Sequence, residues 1–167
     1  IARLVGFKEL WDRDAALSEV LPSLCAAHAE RYAGYTLRRV CKEMHDFYRS
    51  ANIKELQRLC FRAASFPELA MSPESAYEAL VANDVDYLPL TEIKGRIAAT
   101  LALIYPPGIG VIVPGERWDD RAQPMLDYLF AFEESFNRFP GFNYEVQGVY
   151  QERRDGRIRF HTYVVRK

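Results

Sequence analysis

Apolar side chains recur at helical spacing through the first half of this chain and, past residue 84, at the two-residue spacing of strands, so the change of period divides it into a helical half and a sheet-forming half. Leu37, Val40, Cys41, Met44, Phe47 and Tyr48 fall at i, i+3, i+4, i+7, i+10 and i+11, while Arg38, Arg39, Lys42 and Glu43 face away. With Thr36 as its cap, this is the clearest helix in the sequence. Asn52 is expected to cap the next one, with Ile53, Leu56, Leu59 and Cys60 inward and Lys54, Glu55, Gln57 and Arg58 outward. Two short amphipathic helices joined by a brief turn should pack as an antiparallel pair. Ser72-Pro73-Glu74 then supplies a cap, a first-turn proline and an acidic first turn to a helix of about ten residues, striped by Ala76, Tyr77, Leu80 and Val81. Before residue 34 the pattern is looser. Leu4, Val5, Lys8, Leu10 and Trp11 predict the end of a helix over residues 1–16 whose apolar face needs a partner; Pro22 breaks or restarts a helix, and Gly34 stops a short one reaching about Tyr32.

In the second half, residues 84–90 set Val85, Tyr87 and Pro89 against Asp86, Leu88 and Leu90, a first strand whose proline belongs at a sheet edge or at the strand's own end. Residues 91–94 read as a turn or a single helical turn. Residues 101–105 and 109–113 are continuous apolar runs, which suggests strands covered on both faces; periodicity alone leaves a buried helical segment open. Asp119 or Asp120 opens the last helix, whose inner face is Ala122, Met125, Leu126, Leu129, Phe132, Glu133 and Phe136, with Pro124 in the first turn or at a kink. Tyr128, Phe130 and Phe139 widen that face, either for a second contact with an upstream domain or another subunit, or as part of a generous core. Residues 145–151 and 157–165 form a hairpin turned by Asp155-Gly156, with Ile158, Phe160, Thr162 and Val164 on one side and Arg159, His161, Tyr163 and Val165 on the other. The sum is an α+β fold, an N-terminal helical half followed by a small, mainly antiparallel sheet with a long helix packed on it.

Composition narrows the function classes. A chain of 167 residues, 49% hydrophobic, is an ordinary globular protein with room for one core, and its net charge of −1 argues against a nucleic-acid partner. A run long and apolar enough for a membrane span is missing, as is the organisation of a signal peptide, and the lack of an initiator Met points to an excised piece of a longer chain or to a processed or trimmed one. Cys25, Cys41 and Cys60 are odd in number and widely spaced, which fits reduced cytoplasmic thiols better than a disulfide framework or a zinc site. His28, His45 and His161 lack metal-ligand spacing and read as surface or satisfied core histidines. Gly108-Ile109-Gly110 lacks the third glycine and the helix of a phosphate loop, and the adjacent Glu133 and Glu134 diverge on their helix. These patterns nominate no catalytic, cofactor-binding or metal-binding residue. Arg38, Arg39, Lys42, Lys54, Arg58 and Arg62 make the helical pair locally basic, as an anionic effector would require or as a solvated face would show.

What organises the chain is the stretch 95–118, in which two rigid corners, Pro106-Pro107-Gly108 and Pro114-Gly115, interrupt the apolar runs. Glu116, Arg117 and Trp118 follow the second corner, placed to line a pocket mouth or to enter a helix with a surface ion pair. Gly95-Arg96-Ile97, Tyr105-Pro106-Pro107-Gly108, Pro114-Gly115-Glu116, Phe139-Pro140-Gly141-Phe142 and Gln147-Gly148-Val149-Tyr150 together resemble the C-terminal domain of the bacterial ornithine, lysine and arginine decarboxylases, pyridoxal-phosphate enzymes of the aspartate-aminotransferase fold type. The resemblance is firmest from Met71 onward, which implies a domain over residues 34–167 preceded by a helical lead-in over residues 1–33. It also implies that the catalytic lysine, in a Ser-x-His-Lys setting, lies upstream, because none of Lys8, Lys42, Lys54, Lys94 and Lys167 follows a histidine. Pyridoxal phosphate is then expected in the full-length enzyme and not in this piece, which alone should decarboxylate nothing.

By the same resemblance this domain walls the active-site cleft near a subunit interface, with Arg96, Tyr105, Pro106, Pro107, Gly108, Pro114, Gly115, Glu116 and Trp118 as cleft or domain-junction candidates. Glu116 would complement a cationic substrate or cap the helix after Trp118. The implied partners are an upstream pyridoxal-phosphate-binding domain, a basic amino-acid substrate and further copies in a dimer or decamer, with no nucleic acid and no membrane. Residues 147–150 and 114–118 look most like the ornithine branch, which converts L-ornithine to putrescine and CO2. Lysine or arginine decarboxylation is the alternative within the family; a free-standing effector-binding or protein-interaction module is the alternative outside it.

Overall fold

The computed structural model describes residues 2–105 and 108–167 and is α+β, a run of helices followed by small antiparallel sheets packed against a long helix. The helical half comprises α1 (Ala2–Asp12), α2 (Leu17–Val20), α3 (Pro22–Ala27), α4 (Ala29–Tyr32), α5 (Leu37–Ser50), α6 (Ile53–Cys60) and α7 (Pro73–Val81). Two of the three expected caps form: Thr36 Oγ1 accepts from the Arg39 amide at 3.3 Å and Ser72 Oγ from the Ser75 amide at 3.0 Å. Asn52 departs from expectation. It sits in the left-handed region at φ 55° and its side chain caps nothing among the described residues, because the tight turn from α5 to α6 uses its tolerance of positive φ instead. Leu17, Tyr32 and Val40 close a small cluster in which α2 to α4 pack on α5 and on Phe142. Along α7, Ala76 is buried but Tyr77 and Val81 are exposed, so only part of the expected stripe finds cover.

The strands are β1 (Val85–Pro89), β2 (Ala102–Tyr105), β3 (Ile109–Ile112), β4 (Glu145–Gln147), β5 (Tyr150–Arg154) and β6 (Arg157–Val165), arranged as two antiparallel sheets in the orders β1-β6-β5 and β3-β2-β4. Pro89 both ends β1 and lies on an edge strand. At the β5–β6 turn, Asp155 and Gly156 take φ 50° and 77°, as a primed hairpin turn demands. The expected single strand over residues 145–151 is instead two strands in different sheets. Gly148, at φ 71°, makes the break: a Cβ there would lie 1.9 Å from the Leu101 carbonyl oxygen, and its own carbonyl accepts from the Thr162 hydroxyl at 2.7 Å and the Thr100 hydroxyl at 3.2 Å. The chain crosses between sheets at that point, and alternation in the sequence carries no sign of φ to announce it.

A short 3₁₀ turn, Asp120–Ala122, capped by the Asp119 carboxylate, leads into α8 (Gln123–Arg138), with Pro124 harmless in the first turn. This helix packs on β6 and on α6. Of its extra aromatics, Tyr128 and Phe139 are buried, with Phe47 meeting Phe139 edge-on at 5.7 Å, so the chain's own core accounts for these two, while Phe130 is half-buried. β6 outruns β1 beyond Pro89, and α8 supplies what the missing strand would have given. Glu133 Oε2 accepts from the Phe160 amide at 2.6 Å, while Asn137 accepts from the Ile158 amide at 2.7 Å and donates to its carbonyl at 2.9 Å. The amides of both edge residues, and the Ile158 carbonyl, are thereby satisfied by side chains.

Candidate functional site

The corner at residues 113–118 is held from both sides. Gly115 donates its amide to the Ala98 carbonyl at 2.9 Å, and its carbonyl accepts from the amides of Ala70 at 2.9 Å and Met71 at 3.2 Å. Its φ of 90° admits few residues other than glycine, and an added Cβ would lie 2.3 Å from the Met71 carbonyl oxygen. Trp118 exchanges backbone bonds with Gly95 and Arg96, at 2.7 and 2.8 Å, and buries its ring in the main core. Arg117 reaches Glu68 at 2.9 Å. Arg96, mostly buried, donates to the Asp86 carboxylate and to the Val165 carbonyl, tying β1 to the end of β6. Glu116 turns inward: its carboxylate accepts from the Val113 amide at 2.8 Å and closes its own turn, while Asp119 caps the following helix. Burial pushes the Glu116 carboxyl above its usual value, partly offset by the Val113 N–H. It lines a crevice of about 100 Å³ with Cys60, Phe61, Phe66, Gly110 and Met125.

The remaining candidates stand elsewhere. Tyr105 and Gly108 lie at the outer end of the β2–β3 hairpin, separated from the clamped corner by β3, whose four residues span roughly 13 Å. Pro106 and Pro107 fall outside the described residues. Gly108 takes φ 79° and donates to the Ile104 carbonyl at 3.2 Å, and Tyr105 projects into solvent. The expectation of strands covered on both faces therefore holds only for their inner parts. Ala102, Leu103, Ile104, Val111 and Ile112 are buried, whereas Leu101, Tyr105 and Ile109 are exposed. The structure thus brings Arg96, Pro114, Gly115, Glu116 and Trp118 together and leaves Tyr105 and Gly108 apart from them.

The titratable groups are arranged for structure. All five lysines are exposed, and Lys8, Lys42 and Lys94 each pair with an aspartate on the surface, whereas a Schiff-base lysine acts from a desolvated pocket. Three of the six basic residues of the helical pair are paired in place, as Arg39–Glu43, Lys42–Asp46 and Arg58–Glu55, which supports a solvated face. Desolvation raises the Cys60 thiol to about 11, and Cys25 and Cys41 are half-buried and free. His161 is buried under Tyr87, its ring stacked at 5.2 Å, with Nδ1 3.3 Å from the Arg159 carbonyl. Among the described residues, acidic, histidine and cysteine side chains do not gather into a metal-binding group, and no helix is long and apolar enough to cross a membrane. A cavity of about 320 Å³ under the β5–β6 hairpin, lined in part by Glu133, Arg154, Arg157 and Arg159, escaped the sequence reading. The cluster of arginines over residues 153–159 was its one visible signal, and each lining arginine already has a carboxylate partner in Glu152, Glu134 or Glu133.

Comparison with known proteins gives these features a context. The family model described as Orn/Lys/Arg decarboxylase, C-terminal domain, matches residues 54–166. The inducible ornithine decarboxylase of Escherichia coli (strain K12) is 48% identical over 166 residues, covering 99% of this chain and 22% of the relative. A lysine decarboxylase of Pseudomonas aeruginosa is 40% identical over 151 residues, 89% of this chain and 20% of the relative. Among solved structures, lysine decarboxylase A from Pseudomonas aeruginosa matches with a TM-score of 0.88 at 34% identity, over 99% of this chain and 22% of that one. The chain spans about a fifth of the length of the curated relatives it matches.

Proposed function

This chain belongs to the family of ornithine/lysine/arginine decarboxylase C-terminal domains, and on that premise we propose that it completes a pyridoxal-phosphate-dependent carboxy-lyase whose catalytic lysine lies on another part of the polypeptide. Residues 1–33 act as a lead-in to the domain, and the working enzyme assembles as a homo-oligomer. The cofactor, when bound, supplies the electron sink for loss of CO2. The residues of this chain do not fit the task of holding it, because every lysine is solvated. Their work is positional. Gly115, Trp118 and Arg96 clamp the base of the β2–β3 hairpin, and Glu116 locks the corner from within. The hairpin end, with Tyr105 and Gly108, is then presented as a wall that excludes water from a neighbouring cleft.

We favour L-ornithine as the substrate, with putrescine and CO2 as products. The observation that carries this choice is the graded similarity, 48% to an ornithine decarboxylase against 40% to a lysine decarboxylase. Assays of the intact polypeptide with ornithine, lysine and arginine test it: kcat/KM should be highest for ornithine, and a preference for either other amino acid overturns it. The 167-residue chain by itself should neither take up pyridoxal phosphate stoichiometrically nor release CO2 from ornithine.

A further inference from the structure

His161 on β6 is 2% exposed, and both of its ring nitrogens face oxygen acceptors. Nδ1 lies 3.3 Å from the Arg159 carbonyl. Nε2 lies 3.7 Å from Glu152 Oε2 on the neighbouring strand β5, at ion-pair range but short of a hydrogen bond, and has no other partner among the described residues. A neutral imidazole carries one N–H, so it serves one of these oxygens and turns a lone pair on the other. The imidazolium carries two and can serve both. The ring is also stacked on Tyr87 of β1, with centroids 5.2 Å apart, and an aromatic face favours a cation.

The arginines around the ring are each matched by a carboxylate. Arg159 and Arg157 are drawn onto Glu133 and Glu134 of α8, and Asp155 adds a further carboxylate at the same cavity. Arg154 Nη2 donates to Glu152 Oε2 at 3.2 Å, so a single oxygen stands between Arg154 and His161. Tyr150 and Tyr163 close around Tyr87, whose phenol is pushed up to about 12 by burial and then by the Glu152 carboxylate. Histidine is the side chain whose ordinary titration falls between about pH 5 and 8. We propose that His161 is a proton-operated latch on the β5–β6 hairpin: as an imidazolium it draws Glu152 onto Nε2 and joins the two strands, and on losing that proton it releases Glu152 to Arg154. Desolvation opposes the charge, and the second acceptor and the Tyr87 face offset it. The latch therefore holds in mild acid and opens as pH rises through the imidazole range. It regulates the local stability of the hairpin and is independent of which amino acid the enzyme consumes.

The test is amide hydrogen exchange of the intact polypeptide, followed in peptides from the β5–β6 hairpin at about pH 5.5 and about pH 8, each rate divided by the intrinsic rate at that pH. The latch predicts protection about tenfold greater at the lower pH, the size of one hydrogen bond to a charged group. Equal protection at the two pH values overturns it, as does greater protection at the higher one. Two variants locate the proton. Glu152→Gln brings an amide that can donate to a neutral Nε2, and His161→Gln has nothing to titrate, so each should show the same protection at both pH values. A rise like the parent's in either variant overturns the proposal, because the titrating group then lies outside this pair. Glu152 is 35% exposed, so Glu152→Gln decides the matter even where the buried His161→Gln loses the hairpin altogether.

Discussion

The two Pro-Gly corners of one 24-residue stretch have similar compositions and opposite surroundings. Around Gly115 the backbone exchanges hydrogen bonds with residues 70–71 and 98, and a side chain at that glycine would run into the Met71 carbonyl. At Gly108, among the described residues, an added Cβ would meet the ring edge of Tyr105, at 2.9 Å, and that ring is half exposed. A turn residue's importance is therefore set by what approaches it from far along the chain. Composition locates the corner, and the long-range neighbour determines whether it is a joint or a protrusion.

The sharpest way to break the comparison is to place alanine at both glycines. Gly115→Ala should cost about 3–5 kcal/mol or prevent folding, since backbone must move. Gly108→Ala should cost about 1–2 kcal/mol, the penalty of a left-handed alanine. Equal shifts in the denaturation midpoint would mean that the corners do not differ. Next, Arg96→Gln should cost about 2 kcal/mol by cutting the link from Asp86 to Val165. The hydrogen bond from Arg96 is the main cause that holds the Asp86 carboxyl below its usual range, so this contribution is present above the unfolded value and lost as pH falls through the folded one. The variant's stability should accordingly decline less than the parent's on acidification.

Glu116 predicts a slope of the opposite sign. Its folded value is raised, so the folded state holds the proton more tightly and stability declines as pH rises from the usual carboxyl value through the folded one. Glu116→Gln should flatten that decline in thermal melts taken across the acid range, and an unchanged profile would show that the carboxyl is not desolvated. The smallest effect is expected at the hairpin end. Tyr105→Ala should leave the melting of the isolated chain unchanged within about 0.5 kcal/mol, as for other exposed positions.

Legibility in the sequence followed the range of the interaction. α5 announced itself because its cap and stripe are local, α7 because its cap and first-turn proline are, and the Asp155-Gly156 hairpin because its turn chemistry is. The break at Gly148 stayed hidden, since its cause is the Leu101 carbonyl more than forty residues away. The inward turn of Glu116 stayed hidden for a related reason. A carboxylate beside a turn has the same sequence whether it meets solvent, a ligand or the amide of its own corner, and only the fold shows that it meets Val113. The family motifs located the stretch 95–118 without telling its two ends apart, because a motif marks position and not orientation.

One further consequence follows from the way α8 serves β6. Glu133 and Asn137 occupy, with a carboxylate and an amide, the slots that a longer β1 would have filled with peptide groups. A foreign strand that tried to polymerise along this margin would find its seats already taken. Such occupancy closes one margin of the sheet to self-association.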